Sequence, residues 1–92
     1  MSMRLKDHPQ VQRSLQNLIK MGLKVALEEI SSDVVMLAID TNSMVDYMKR
    51  AIASKMAVKK YLVEVDWESK LLVIWIWRGE MPKWLMARIP KT

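Results

Sequence analysis

The sequence predicts an α+β fold: a two-layer sandwich in which a four-stranded, mainly antiparallel sheet carries two helices on one face. Helix-like and strand-like patterns alternate in the order αββαββ, and a short helix is expected near the C-terminal end. Each pair of strands is joined by a short polar turn, which favours antiparallel pairing. The chain contains only two glycines and three prolines, so long irregular loops are not expected.

The first helix is predicted over residues 7–21. Asp7 is a candidate N-cap, and Pro9 falls in the first turn, where its missing N–H costs nothing. Gly22 suits the position after the helix, because glycine tolerates a positive φ. The apolar stripe of this helix, at i, i+4 and i+7 spacing, consists of Val11, Leu15, Leu18 and the flanking Ile19.

Residues 23–39 predict two strands joined by a turn at Ser31-Ser32-Asp33. The first strand alternates apolar and polar residues, which is typical of a strand with one face in water. The second, from Val34 to Ile39, is almost continuously apolar, which predicts a more central strand. A second helix follows and is expected to end near Val58. Ser43 and Asp46 resemble a capping box at its start, and its apolar stripe consists of Val45, Met48, Ile52 and Met56.

A second hairpin is predicted from residues 60–66 and 70–77, with Glu68-Ser69 in the turn. An even number of loop residues places Leu62 opposite Trp75 and Glu64 opposite Val73, so these side chains share one face. Trp75 then lies on the sheet face that the helices do not cover, whereas an odd loop would place it in the core. After this hairpin, the segment from Glu80 to Ile89 predicts a short helix that begins at Pro82.

The strand Leu71–Trp77 is apolar on both faces, so something must cover its second face. Three interpretations are open: self-association into a homodimer, burial within the chain, or a stacking platform for the bases of single-stranded nucleic acid. Burial within the chain would follow from the odd loop or from coverage by the C-terminal segment with Trp84 and Leu85. The predicted partner-interface residues are Leu71, Val73, Trp75, Trp77 and Trp84.

The net charge is +5, from 15 Lys and Arg against 10 Asp and Glu, which favours anionic partners. Residues 49–60 contain five cations and no acid, and Lys55 and Lys59 would lie one turn apart on a helix. The alternative interpretation is a solvated helix face whose cations are favoured near the helix C-terminus. The predicted nucleic-acid-binding residues are Lys49, Arg50, Lys55, Lys59, Lys60 and Arg78.

The composition argues against most enzymatic chemistry. Without cysteine there is no thiolate nucleophile, disulfide, Fe–S cluster or cysteine zinc site, and His8 is the single histidine. Glu64 and Asp66 lie two apart on one strand and could bind Mg²⁺, but solvent-facing strand acids explain them equally well. No nucleophile, base and orienting group can be assembled. We expect no catalytic residues, no metal, no cofactor and no enzymatic activity.

The sequence therefore predicts a single domain, residues 1–92, in the cytoplasm. The longest uncharged apolar run is residues 71–77, too short to span a membrane, and the N-terminal segment does not resemble a signal peptide. The predicted function is a non-enzymatic DNA- or RNA-binding or nucleoprotein accessory protein that acts through a basic helix face. The alternative is an assembly module that homodimerises or docks a protein partner through the Trp75/Trp77 face of the sheet.

Overall fold

The structure is a computed structural model that describes residues 3–40, 45–66 and 68–88, without the side chains of residues 45–48. It confirms the predicted αββαββ order and the two-layer α+β sandwich. A 3₁₀ turn, Leu5–Asp7, precedes the first helix. The other elements are α1 Pro9–Lys20, β1 Val25–Ser31, β2 Val34–Asp40, α2 Val45–Ala53, β3 Tyr61–Asp66, β4 Leu71–Trp77 and α3 Lys83–Met86.

The four strands form one sheet in the order β1-β2-β4-β3, and every neighbouring pair is antiparallel. The two strands with the longest apolar runs, β2 and β4, therefore lie in the centre, where both of their edges are hydrogen-bonded. β1 and β3, which contain more charged residues, form the edges. A central position does not by itself explain why β4 shows no apolar–polar alternation, because alternation reflects what covers the two faces of the sheet.

The main core lies between the sheet and the helices α1 and α2. On the helix-facing side, Leu37 pairs with Ile74 and both are fully buried. Helix α1 contributes Val11 and Leu18, and α2 contributes Ile52. The other buried residues of this core are Leu5, Val35, Ile39, Leu72 and Ile76.

The second hairpin has the register that an even loop predicts. Leu62 pairs with Trp75 and Glu64 pairs with Val73, with residues 67–70 between the two strands. Successive side chains of a strand point to opposite faces, so Trp75 lies on the sheet face opposite the helices. The turn is closed by Asp66, whose Oδ1 accepts the backbone N–H of Glu68 at 3.1 Å.

The start of α1 differs from the prediction. Leu5–Asp7 form the 3₁₀ turn, so Asp7 is not the N-cap. His8 takes that position, and its Nδ1 accepts the backbone N–H of Gln10 at 3.2 Å. The other end is as predicted, because Gly22 follows the helix with a φ of +92°.

The prediction that the second helix reaches Val58 is wrong, since α2 ends at Ala53. Backbone bonds back to α2 continue only as far as the Met56 N–H. Bonds to α1 then hold the chain: the Asn17 side-chain amide donates to the carbonyl of Lys55, and the Ala57 N–H donates to Ser14 Oγ. Lys55 and Lys59 therefore do not share a helix face. The predicted capping box at Ser43 and Asp46 lies outside the residues whose side chains are described, as does Ile89.

Candidate functional site

The acids are largely absent from one layer of the molecule, whereas Lys and Arg occur in both layers. The helical layer, which we define as residues 8–24 and 45–60, contains eight of the fifteen Lys and Arg residues and one of the ten acids, Asp46. The other nine acids belong mainly to the sheet and its turns. The face of the molecule opposite the sheet is consequently the cationic one.

The segment that follows α2 lies along α1 in the opposite direction. Asn17 Nδ2 donates to the carbonyl of Lys55 at 3.0 Å, and Ala57 N donates to Ser14 Oγ at 2.8 Å. The segment therefore runs antiparallel to α1. This contact holds the cations of residues 55–60 beside the cations of α1.

Helix α1 contributes two cations to the same side. Arg13, Asn17 and Lys20 are spaced i, i+4 and i+7, so they share a helix face, and Asn17 is the residue that binds the segment. Lys20 and Lys55 line a common polar groove of about 390 Å³. We define the basic surface as these cations together with those at the end of the segment: Arg13, Lys20, Lys55, Lys59 and Lys60, all exposed.

A second groove, of about 470 Å³, lies at the start of α1, and we call it the N-terminal groove. Lys59 and Lys60 line it, and Lys60 Nζ donates to the carbonyl of Gly79 at 2.8 Å across the gap between the segment and the end of β4. None of the described residues that line this groove is acidic. Its apolar lining consists of Leu5, Val11, Ala57, Val58 and Ile76, beside Trp77.

The remaining predicted nucleic-acid-binding cations lie elsewhere. Lys49, half-buried, and Arg50, exposed, are on α2. Arg78 also lines the N-terminal groove, but its guanidinium is bound within the chain. It forms an ion pair with Asp33 at 2.8 Å and donates to the carbonyls of Ser32 and Met3. Arg78 therefore joins the β1–β2 turn to the N-terminal segment, and we do not include it in the basic surface.

The chain itself covers Trp75, which is 8% exposed. The rings of Trp75 and Trp84 meet edge to face, with centroids 5.5 Å apart and planes at 76°. The Arg88 guanidinium carbon lies 5.0 Å from the Trp75 ring centroid, and Trp75 Nε1 donates to Glu64 at 3.2 Å. Trp75 is therefore buried within the chain under the C-terminal segment, as one of the three interpretations of this strand proposed.

Other parts of this face remain accessible. Leu71, Val73 and Trp77 are half-buried, and Trp84 of α3 is 46% exposed. Trp84 and Ile30, which is 42% exposed, line a depression of about 680 Å³ at the end of the sheet where the β1–β2 turn lies beside the end of β4. The predicted partner interface stays a prediction, with Trp84 as its most exposed aromatic residue.

The carboxylates on the sheet have roles within the chain. Glu64 Oε1 accepts from Arg88 at 2.8 Å, while the Ser69 hydroxyl and the backbone N–H groups of Ser69 and Glu68 lower the pKa of Asp66. Among the described residues, no group of three or more His, Asp or Glu side chains could hold a metal ion. A Mg²⁺ site at Glu64 and Asp66 therefore has no third described ligand.

The described helices include none that is long and apolar enough to cross a membrane. Comparison with models of protein families, with curated proteins and with solved structures finds no match for this chain. Evidence for a function therefore has to come from the surfaces of the molecule.

The sequence analysis missed Ser14, which binds the segment after α2 to α1. Ser14 lies three residues after Val11 and four before Leu18, so helical periodicity places it on the buried stripe of α1.

Proposed function

We propose that this protein binds nucleic acid through the basic surface of its helical layer. The observation that supports the proposal is the segregation of charge: eight cations and one acid in residues 8–24 and 45–60. A surface with one sign of charge attracts phosphates, and binding is strengthened by release of the counterions condensed on them. The cations act along α1 and the adjoining segment, not on a continuous basic helix.

The length of the surface sets the expected size of the site. Helix α1 has 12 residues and is therefore about 18 Å long. The groove with Lys20 and Lys55 lies at its C-terminal end, and the groove with Lys59 and Lys60 lies at its start. At about 3.4 Å of helix axis per phosphate on each strand of a duplex, the surface spans roughly five phosphates of one strand.

The test is binding of a fluorescent oligonucleotide of about 20 nucleotides, measured by anisotropy between about 50 and 200 mM salt. Five phosphate contacts, one for each cation of the basic surface, predict a slope of log K against log[salt] of about −3.5 for a single strand. Lys55→Gln and Lys59→Gln should each weaken binding and reduce the magnitude of the slope by about 0.7. Lys83→Gln is the matched control, because Lys83 is an exposed cation of α3, outside the helical layer.

If Lys55→Gln, Lys59→Gln and Lys83→Gln all lower the affinity equally, binding depends only on the net charge of the protein, which would contradict a defined basic surface. Absence of binding at about 50 mM salt would reject the proposal itself. Whether the natural ligand is DNA or RNA can be read from the same titration with matched strands, since contacts to the 2′-hydroxyl favour RNA.

A second candidate function is docking of a protein partner, or of a second copy, through the sheet face. The exposed Ile30 and Trp84 side by side in one depression favour it, because adjoining exposed apolar residues commonly mark contact sites. Native mass measured over a range of concentrations tests self-association. If a dimer forms through this face, Trp84→Ser should yield a folded monomer, whereas Ile19→Ser, at an exposed apolar position of α1, should leave the dimer intact.

A further inference from the structure

The N-terminal groove has the features of a site for one unpaired nucleotide. We infer, on the basis of the proposed function, that it receives a single base of single-stranded nucleic acid while Lys59 and Lys60 contact the adjoining phosphates. Such a site would add a preference for single strands to the general attraction of the basic surface for phosphates. The volume, lining and charge of the groove support it.

The volume and walls suit a base. At about 470 Å³ the groove falls within the range of about 300–1,000 Å³ that is typical of small-ligand sites. Leu5, Val11 and Ile76 belong to the main core, and Val58 packs against it, so the floor of the groove is firmly held. An apolar floor favours the flat, weakly hydrated face of a base over a bare phosphate.

The rim supplies hydrogen-bond donors. His8 Nδ1 accepts the N–H of Gln10, so in the neutral imidazole the proton is on Nε2, which can donate to a ligand. Lys59 and Lys60 are adjacent in the chain, and the bond from Lys60 to Gly79 holds that side chain across the gap. A phosphate at this rim would meet cations and no acid among the described lining residues.

The same features explain why a single strand fits better than a duplex. In a duplex the bases are stacked and paired. An apolar groove on the protein surface can therefore receive a base only if the duplex is opened against its stacking and pairing energy. The bases of a single strand can be splayed out at little cost. The cations alone would not discriminate in this way, since both forms carry phosphates.

The test compares a 12-nucleotide thymidine strand with a hairpin duplex, with Gln10→Glu as the variant. Gln10 is exposed, lines the groove and lies in the first turn of α1, where an acidic side chain favours the helix, so the variant should fold. Gln16→Glu places the same charge on an exposed position of α1 outside the groove. We expect Gln10→Glu to weaken single-strand binding about tenfold and duplex binding less than threefold, and Gln16→Glu to weaken both equally.

A second measurement does not depend on the variant. Thymidine 5′-monophosphate, titrated into the ¹⁵N-labelled protein, should shift the amide resonances of Leu5, Val58 and Lys59 in preference to those of Lys20 and Lys55. Shifts confined to the Lys20–Lys55 groove, or equal weakening of both nucleic acids by Gln10→Glu, would overturn the nucleotide site and leave the basic surface intact. Absence of binding to both the strand and the hairpin would overturn the proposed function and this inference together.

Discussion

The Ser14 hydroxyl connects α1 to the segment that leaves α2. It donates to the carbonyl of Gln10 at 2.9 Å and accepts the backbone N–H of Ala57 at 2.8 Å. Ser14 is fully buried, and both bonds are partly buried. Together with the bond from Asn17 to the carbonyl of Lys55, this side chain places Lys55 and Lys59 beside the cations of α1.

Ser14→Ala should lower the free energy of unfolding by about 1–3 kcal/mol. The substitution leaves the Ala57 N–H without its acceptor in a partly buried position, and an unsatisfied buried donor costs about that much. Urea denaturation of the wild type and the variant measures the difference. The variant should also bind single-stranded DNA more weakly, because the segment that carries Lys55 and Lys59 is less firmly held.

Ser54→Ala provides the control. Ser54 is exposed and its hydroxyl donates to Ala51, so removing it changes the same atom type without disconnecting the segment from α1. We expect a change within about 0.5 kcal/mol. Equal destabilisation by the two substitutions would mean that the Ser14–Ala57 bond has no special role.

Leu85→Ala should uncover Trp75. Leu85 is fully buried in the four-residue helix α3, whose other contacts with the sheet include the Trp84–Trp75 ring pair. A helix this short depends on packing for its stability, and truncating a buried leucine costs about 2–5 kcal/mol. Exchange of the Trp75 indole N–H with solvent, followed by NMR, should become faster, and the midpoint of urea unfolding should fall.

Met86→Ala is the matched change on α3, since Met86 is 53% exposed. It should leave both the indole exchange rate and the unfolding midpoint close to those of the wild type. If Leu85→Ala behaved like Met86→Ala, α3 would not be what shields Trp75.

The architecture of the sheet was largely predictable because β-strand geometry constrains it tightly. An even loop after Asp66, which the sequence left open beside an odd one, is enough to place Leu62 opposite Trp75, and alternation along the strand then assigns every residue of β4 to a face. The apolar run of β2 likewise predicted its central position in the sheet. These inferences use only local periodicity, which the sequence displays directly.

The errors occurred where a distant part of the chain decides the local structure. The end of α2 at Ala53 depends on Ser14 and Asn17, about 40 positions away in the sequence. A distant contact also bears on Arg78, whose role as a nucleic-acid contact stays a prediction. Its sequence neighbours do not reveal the pairing with Asp33, which forms only when β2 and β4 meet. Periodicity cannot show contacts of this kind.

Arg78→Lys should destabilise the protein by about 1–2 kcal/mol although the charge is kept. Arg78 uses Nε and both terminal nitrogens to bind Asp33, Ser32 and Met3, and a lysine ammonium cannot reproduce this planar arrangement. The N-terminal segment should loosen as well. Exchange of the Leu5 amide, which donates to the carbonyl of Ser32 at 2.8 Å, should therefore be faster in the variant.

Arg13→Lys keeps the charge in the same way at an exposed position of α1. It should change stability by less than about 0.5 kcal/mol and leave Leu5 exchange unaltered. Matching behaviour of the two variants would contradict the structural role of Arg78. It would also return that side chain to the candidates for phosphate contact.

The turn between β3 and β4 should make stability depend on pH through Asp66. The Ser69 hydroxyl and the backbone N–H groups of Ser69 and Glu68 stabilise the charged carboxylate and lower its pKa in the folded state. In the unfolded chain the pKa of an aspartate is about 3.9. Since the folded pKa is the lower one, this contribution is fully present above that pH and is lost as the pH falls through the folded pKa.

Asp66→Asn isolates this effect because asparagine keeps an acceptor oxygen for the turn but does not titrate. The difference in melting temperature between the wild type and Asp66→Asn should be largest near pH 7 and should shrink below about pH 4. Ser69→Ala removes only the hydroxyl, so its pH dependence should be intermediate between the two. A wild-type advantage that persists unchanged at pH 2 would show that Asp66 acts through the geometry of the turn and not through its charge.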